Sequence, residues 1–242
     1  MPIPSRHREW PGLLNARTLA GIPTAFGLIG HGRLFRSDEP TGPLGALTDV
    51  LKEEGIRTLL DLRSARETER RPSPFASEAG YASAPLIDLQ MEHLRDPAAE
   101  KTLLDLYRGN VDRNGRTIAE AVSRILRSPP GGVLVHCAVG KDRTGILIAL
   151  ILSALGTQDA VIVDDYTQSE PHLTGFFAEE LAAIEDPVRR ERVIWRRHAT
   201  PETMSGLLNH IRSQYGDAGT YLQSHGLTHR DLRLLAGRFT SG

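Results

Sequence analysis

The sequence predicts a single α/β domain in which a central, mostly parallel sheet of four or five short strands has helices on both faces. Two short segments, 56–60 and the unbroken apolar run 133–135, have the length of buried strands, and each gives way to polar residues. Segments with helical spacing lie between and after these runs, an alternation that is typical of parallel sheets. The 242 residues contain no repeat or clear linker, so we expect one domain over residues 1–242.

The chain begins with a Pro- and Arg-rich segment, 1–24, which we expect to lie along the surface. A helix is predicted over 42–54. The buried strand 56–60 follows and ends at Asp61 and Arg63, at the edge of the sheet where α/β proteins bind ligands. The elements predicted next are a helical turn and exposed loop at 65–77, a short strand at 84–89, and helices at 98–110 and 118–128 with a turn at 112–115.

Prolines and glycines at 129–132 stop the second of these helices before the strand 133–135. A buried helix is predicted over 145–155, and another over 159–166. The segment 171–198 is charged, aromatic and helical, and it forms either a cover over the loop described next or an ordinary packed helical pair. The last predicted helices cover 201–215 (with Thr200 as its cap), 221–226 and 228–239.

The segment HCAVGKDRTG, residues 136–145, joins the central strand to the buried helix through a tight loop that contains glycine. The loop amides and the first turn of the helix leave N–H groups unpaired, and the helix dipole adds partial positive charge there. This geometry suits the binding of a phosphate group. Residues 137–143 are called the phosphate loop below.

Cys137 lies at the mouth of the phosphate loop, where free N–H groups and Arg143 stabilise a thiolate. Helix N-termini and nearby cations lower a cysteine pKa from about 8.5 into the range of roughly 3.5–7.5, and the thiolate is the nucleophile. Arg143 can hold two oxygens of a phosphoryl group at once. The Thr144 hydroxyl can donate a hydrogen bond to the departing sulfur. We expect His136 to orient the loop rather than to act as a base.

These residues resemble the Cys-x5-Arg-Ser/Thr signature of the cysteine-dependent protein tyrosine phosphatase superfamily. The Gly-Lys-Asp-Arg-Thr-Gly version is similar to that of bacterial tyrosine phosphatases related to dual-specificity and phosphoinositide phosphatases. The resemblance implies hydrolysis of phosphate monoesters through a phosphocysteine, on phosphotyrosine in proteins and also on phosphoserine, phosphothreonine or phosphoinositides. The residues then expected to bind substrate are Ala138, Val139, Gly140, Lys141, Asp142, Arg143 and Thr144.

Three weaker landmarks of the same family occur in the expected order. NARTLAG, residues 15–21, resembles the family's Asn-Phe-Arg-Asp-Leu-Gly-Gly opening, with three departures. Residues 30–37 resemble a turn that leads into a short strand ending in Arg-Ser, whose Arg36 is expected to pair with a carboxylate or with loop carbonyls rather than with substrate. Residues 165–169 resemble a Tyr-x-x-Ser element, which we interpret as a helix packing face.

The general acid is left open between three aspartates. Asp61 is favoured, because it ends a firm strand beside Arg63 in a segment that resembles the family's own candidate; the alternative is a structural aspartate that caps the turn. Asp142 lies within the phosphate loop, where its charge repels phosphate unless it is protonated or paired with Lys141. Asp88 ends the weaker strand 84–89. An acid of this kind contributes about 10²–10⁴-fold to the rate.

Two readings are also open for Lys141. Its charge either attracts a second phosphate on the same substrate, as in phosphoinositides, or pairs with Asp142 or another carboxylate. No cofactor is expected, and the sequence has no cluster of His, Asp and Cys with metal-ligand spacing.

Composition narrows the classes of function. The formal net charge of −1 gives no indication of a nucleic-acid-binding surface. The single cysteine fits a reducing cytoplasm, and the longest apolar stretch, 145–155, is shorter than the about 20 residues that span a bilayer. The expected partner is a phosphorylated protein or phosphoinositide substrate, and the oligomeric state is left open.

Two rival functions are a rhodanese-like sulfurtransferase and a catalytically inactive phosphate-binding module. The first also carries a cysteine loop, but Arg143 and Thr144 at the start of the helix favour phosphate handling. The second would usually have lost Cys137 or Arg143, and both are present.

Overall fold

A computed structural model describes residues 6–41 and 44–241 of the chain. Its strands are β1 (Arg17–Thr18), β2 (Pro23–Thr24), β3 (Gly27–Ile29), β4 (Leu34–Ser37), β5 (Ile56–Asp61), β6 (Tyr81–Ser83), β7 (Gly132–His136) and β8 (Thr240–Ser241). Within the described residues, five of them form the main sheet in the order β1-β4-β7-β5-β6, and only β1 runs antiparallel to its neighbour. This confirms the predicted mostly parallel sheet. The strands β2, β3 and β8 form a small antiparallel sheet beside it.

Helices connect and cover these strands. They are α1 (Leu44–Glu53), α2 (Ala65–Arg70), α3 (Leu103–Arg113), α4 (Gly115–Arg127), α5 (Asp142–Ala154), α6 (Asp159–Thr167), α7 (Ser169–Ala182), α8 (Pro187–Arg197), α9 (Pro201–Tyr215), α10 (Ala218–Ser224) and α11 (His229–Phe239), with a 3₁₀ turn at Glu92–Leu94. Among the described residues, no helix is long and apolar enough to span a membrane.

The sheet separates two hydrophobic cores, because successive side chains of a strand point to opposite faces. Phe35 of β4, Leu59 of β5 and Leu134 of β7 pack on one face with α1 and Trp10. Leu60, Val133 and Val135 belong to the larger core on the other face, together with α4 and α5. Helices therefore cover both faces of one α/β domain, as predicted.

The carboxyl ends of the three central strands meet at one edge of the sheet. The register pairs His136 of β7 with Ser37 of β4 on one side and with Asp61 of β5 on the other. Directly after this row, β7 continues into the phosphate loop and then into α5. All residues of α5 from Ile146 to Leu152 are buried, so the helix is fixed on every side.

Two sequence-based predictions about the first half of the chain are wrong. The strand predicted at 84–89 lies at Tyr81–Ser83 instead, because Pro85 has no N–H with which to continue the ladder. The N-terminal segment does not stay on the surface: Asn15, Ala16 and Leu19 are fully buried, since β1 adds an edge strand to the main sheet. Residues 1–5 of that segment, and 42–43 of the helix predicted over 42–54, lie outside the described residues.

Several helix ends differ from prediction for local reasons. The helix expected from 98 begins at Leu103, because Thr102 caps it and exchanges hydrogen bonds with Asp105. The buried helix starts at Asp142 rather than at 145. The segment 171–198 consists of α7 and α8, with a break after Ala182 and Asp186 capping the second helix. The cap of α9 by Thr200 is confirmed.

Candidate active site

The backbone of the phosphate loop turns its carbonyl groups outward, toward donors that come from distant parts of the chain. These contacts are Glu39 N to Ala138 O at 3.1 Å, Asn15 Nδ2 to Val139 O at 3.0 Å and an Arg36 NH2 bond to Gly140 O at 2.7 Å. In the described part of the chain, no protein acceptor takes up the amides of 138–144. Because buried amides need partners, these N–H groups form a ready site for an anion.

Gly140 is required by the course of this loop. Its φ is +68°, and a Cβ there would lie 2.3 Å from the carbonyl oxygen of Ser37. A side chain is therefore excluded both by conformation and by space. The loop packs directly against the end of β4.

Arg36, which holds Gly140, is itself anchored by a buried carboxylate. Asp165 accepts from Arg36 at 2.6 Å and from Arg17 Nε at 3.0 Å, and all three side chains are about 1% exposed. Arg17 also donates to Ser169 and to Asn15 Oδ1, which orients Asn15 toward the loop. The expected pairing of Arg36 is thus confirmed, and residues 165–169 do more than pack a helix face.

Cys137 directly follows the central strand β7 and is 2% exposed. The Thr144 hydroxyl is buried and, among the described residues, has no hydrogen-bond partner, so its proton is free to donate. His136 Nδ1 lies 3.4 Å from Cys137 O, and its Nε2 lies 3.9 Å from Asp61 Oδ2. Burial lowers the pKa of His136 despite the Asp61 charge, so the ring is neutral at pH 7.

Arg143 is held by the carboxylate of Glu67, a residue that the sequence analysis did not identify. Its two terminal nitrogens donate to the two oxygens of Glu67 at 2.6 and 2.7 Å. Burial alone raises the pKa of Glu67, but the Arg143 contacts outweigh it and lower that pKa to about 2. Glu67 also closes a capping box with Ser64 at the start of α2. The Ser-x-x-Glu spacing was the signal in the sequence that could have revealed this residue.

Asp61 lies at the sheet edge as expected, but it is fully buried and both of its oxygens are engaged. Arg63 donates to them through Nε at 3.0 Å and NH2 at 2.7 Å, and the Tyr81 hydroxyl donates at 2.8 Å. Burial raises the pKa of Asp61, but the contacts with Arg63 outweigh it, so that the net pKa lies below its usual value. This arrangement matches the structural alternative, an aspartate that secures the turn.

The other two aspartates differ in their access to the loop. Asp88 Oδ1 accepts a hydrogen bond from the amide of Gln90 at 2.9 Å. Asp88 lines a separate cleft with Ser64 and Thr117. Asp142 lines the same cleft as Arg143, and 36% of its side chain is exposed.

The two oxygens of Asp142 are not equivalent. Its Oδ1 accepts from the Tyr107 hydroxyl at 2.6 Å and from Lys141 at 3.0 Å. Its Oδ2 has no hydrogen-bond partner in the described part of the chain.

A model of the tyrosine phosphatase family matches residues 8–241, nearly the whole chain. The chain belongs to the tyrosine phosphatase family. It is a protein-tyrosine phosphatase, an enzyme that hydrolyses phosphate monoesters. The rhodanese-like and non-catalytic alternatives are therefore set aside.

Relatives of this phosphatase occur in several bacteria. The Mycobacterium tuberculosis protein PtpB, named a triple specificity protein phosphatase, is 29% identical over 95% of this chain and 98% of its own length. A Cupriavidus necator protein is 31% identical over 84% of this chain and 74% of its own length. A tyrosine-protein phosphatase of Nostoc commune is 28% identical over 82% of the chain and 72% of that protein.

Partners inside the protein hold the ammonium group of Lys141 in this phosphatase. Its side chain is fully buried, and its Nζ donates to the carbonyls of Arg196 and His198 at 2.5 and 3.0 Å as well as lying 3.0 Å from Asp142 Oδ1. Three partners account for the three ammonium protons. The geometry matches the pairing of Lys141 with Asp142, and it ties the end of α8 to the phosphate loop.

The helix α8 also forms one wall of the site. A cleft of about 350 Å³ opens beside Asp142 and Arg143, and Arg196 of α8 lines it opposite Leu103 and Leu106 of α3. A second cavity, of about 750 Å³, continues between α8 and the segment 95–106. In the structure as described, α8 therefore borders the site while packing against α7.

Proposed function

We propose that this phosphatase forms a phosphocysteine at Cys137. The thiolate attacks phosphorus, the bond from phosphorus to the leaving oxygen breaks, and a water molecule then cleaves the sulfur–phosphorus bond to release inorganic phosphate. The amides of 138–144 and the Arg143 guanidinium hold the non-bridging oxygens throughout. The observation that carries this proposal is the outward turn of the loop carbonyls, which leaves a full set of unbonded amides around a buried thiol.

Thr144 and Glu67 support this reaction without taking part in the bond changes. The unpartnered Thr144 hydroxyl donates to the sulfur and eases its departure in the second step. Glu67 holds the Arg143 guanidinium in plane, and the remaining N–H groups of Arg143 are ready to donate to two phosphate oxygens.

For the general acid we propose Asp142 in place of Asp61. A proton donor must reach the leaving oxygen, and Asp142 is partly exposed in the cleft whereas Asp61 is sealed by Arg63 and Tyr81. Burial raises the pKa of Asp142, but Lys141 and Tyr107 outweigh it and hold that pKa below its usual value in the free enzyme. A phosphate dianion that binds beside it raises the pKa again, because like charges disfavour ionisation. Asp142 thus takes up its proton together with the substrate.

The proposed substrates are phosphotyrosine proteins first, and phosphoserine, phosphothreonine and phosphoinositides in addition. An acid that can protonate the leaving group is what alkyl esters need most, since an alkoxide leaves poorly. The relative named a triple specificity phosphatase, which covers nearly the whole chain, supports the same range of substrates.

The single cysteine supports a reducing compartment such as the cytoplasm.

Two sets of variants test these assignments. Cys137→Ser should abolish turnover of p-nitrophenyl phosphate and still bind vanadate, because serine keeps the loop shape without forming an oxyanion. Retention of more than a few per cent of the rate contradicts the covalent step.

Asp142→Asn should lower the rate about 10²-fold or more on phosphotyrosine and much less on p-nitrophenyl phosphate, whose leaving group needs little protonation. The matched variant Asp61→Asn should affect both substrates equally. The reverse pattern returns the acid role to Asp61.

A further inference from the structure

Two buried tyrosine hydroxyls form a chain that reaches Asp142 from inside the protein. The Tyr107 hydroxyl, on α3, lies 2.6 Å from Asp142 Oδ1. The Tyr166 hydroxyl, on α6, lies 2.9 Å behind it. Both side chains are 2% exposed or less, and their rings meet edge to face.

The direction of the hydrogen bonds in this chain is determined by chemistry. An ionised carboxylate can only accept hydrogen bonds, so the Tyr107 hydroxyl donates its one proton to the hydrogen bond with Asp142. The Tyr107 oxygen then offers only lone pairs, and Tyr166 must donate to it. The order of donation is therefore Tyr166 to Tyr107 to Asp142.

This order makes the two oxygens of Asp142 unequal. Oδ1 receives two donors, from Tyr107 and Lys141, whereas Oδ2 receives none in the described part of the chain. We infer that Tyr107, backed by Tyr166, is a positioning residue that fixes the Asp142 carboxyl group and keeps its transferable proton on Oδ2. The inference rests on the proposed role of Asp142 as the general acid.

The surroundings of the two tyrosines keep this chain in place. A Cβ at Gly145 would lie 3.1 Å from Cδ2 of Tyr166, so glycine at this position lets the ring lie against the first turn of α5. Buried hydroxyls are costly unless they are hydrogen-bonded, and phenylalanine would fill the same core space without that requirement. The chain of hydroxyls ends on Asp142 alone, so the two hydroxyl groups have a function at Asp142 beyond packing.

The same contacts govern the protonation of Asp142. The Tyr107 hydroxyl stabilises only the ionised carboxylate, so its removal lets the carboxyl group keep its proton to higher pH. The charged and titratable groups that face Asp142 or line its cleft are Lys141, Arg143, Tyr107, Tyr166, Arg196 and, farther along the cleft, Glu67, Glu92, Arg95 and Arg113. Tyr107 and Tyr166 are the ones whose hydroxyl can be deleted without changing a charge.

The test compares kcat for phosphotyrosine with kcat for p-nitrophenyl phosphate in single variants of the full chain. Tyr107→Phe should lose about tenfold on phosphotyrosine and less than about twofold on p-nitrophenyl phosphate, with the basic limb of the phosphotyrosine profile moved to higher pH. Tyr166→Phe should show a smaller loss with the same selectivity. The matched control is Tyr221→Phe, because the Tyr221 hydroxyl is equally buried and bonds the carbonyl of Val111 on the same helix α3 at 2.8 Å. It should keep both the ratio of rates and the pH profile.

The outcomes separate this inference from the acid assignment. A selective loss in Asp142→Asn, together with an unchanged rate ratio and pH limb in Tyr107→Phe, overturns the positioning role alone. The absence of a selective loss in Asp142→Asn overturns the acid assignment and the positioning role with it. If Tyr107→Phe fails to fold, Tyr166→Phe decides the question by the same two readouts.

Discussion

The buried cluster of Asp165 with Arg17 and Arg36 makes a sharp prediction for Asp165→Asn. The substitution keeps the shape of the side chain but leaves two guanidinium groups, each about 1% exposed, without a counter-charge. Burial has already lowered the pKa of Arg17 to about 10, which shows how poorly this site tolerates uncompensated charge. Breaking a buried pair by removing one partner costs about 3–5 kcal/mol, so we expect a fall of about that size in the free energy of unfolding.

The measurement is urea-induced unfolding at pH 7, with Asp164→Asn as the matched control. Asp164 is the preceding residue of α6, and it pairs with Arg6 at 3.1 Å while 57% of its side chain is exposed, so its loss should cost less than about 1 kcal/mol.

The pH dependence supplies a second readout. Burial raises the pKa of Asp165, but Arg17 and Arg36 outweigh it and hold the pKa well below its usual value. Its contribution is therefore complete above about pH 4 and is lost as the pH falls further. A loss below about 1 kcal/mol at pH 7, or a loss equal to that of Asp164→Asn, contradicts this account.

Three further predictions concern the phosphate loop and its supports. Gly140→Ala should abolish phosphatase activity in a steady-state assay, since the new Cβ meets the Ser37 carbonyl at 2.3 Å with φ at +68°. Asp38 accepts from the amides of Leu14 at 3.0 Å and Asn15 at 2.8 Å, and burial raises its pKa to about 6, so the folded state binds this proton more tightly than the unfolded chain does. Stability should therefore fall by up to about 3 kcal/mol as the pH rises from about 4 to 6, and Asp38→Asn should flatten that slope in chemical unfolding curves. Lys141→Met should lower phosphotyrosine and phosphoinositide hydrolysis by the same factor and increase amide hydrogen exchange in 187–197; a selective loss of phosphoinositide hydrolysis contradicts the pairing described for Lys141.

The parts of the fold that were predictable from sequence are those that local patterning controls. The strand β7 has a continuous apolar run at 133–135, β5 has apolar residues at 56, 59 and 60, and α9 carries its own cap and first-turn proline, so each could be placed without tertiary information. The strand β1 could not, because it is two residues long and exists only through its pairing with Phe35 and Arg36. The strand β6 was misplaced because its residues carry no period of their own and take their register from β5.

In the active site, too, features set by local sequence could be predicted and those set by tertiary contacts could not. The phosphate loop is local in sequence, and its residues and the assignment to a phosphatase family could be predicted from it. Which carboxylate holds Arg143 and which aspartate faces the cleft depend on contacts across the whole domain. Asp61 and Asp142 were both candidates from sequence, and the structure separates them by the engagement of Asp61 with Arg63 and Tyr81 and by the exposure of Asp142 in the cleft.

The outward contacts of the phosphate loop have a consequence for the order of events in folding. The residues that hold its carbonyls and its arginine come from far upstream: Asn15 is separated from Val139 by 124 positions, Arg36 from Gly140 by 104 and Glu67 from Arg143 by 76. Contacts between such distant positions form late, because long loops must close first. A fragment that begins at α3 would contain the whole signature and still lack the side chains that shape it. The phosphate loop therefore takes its final shape only when the N-terminal third has docked, and an incompletely folded chain carries the signature without the side chains that hold it.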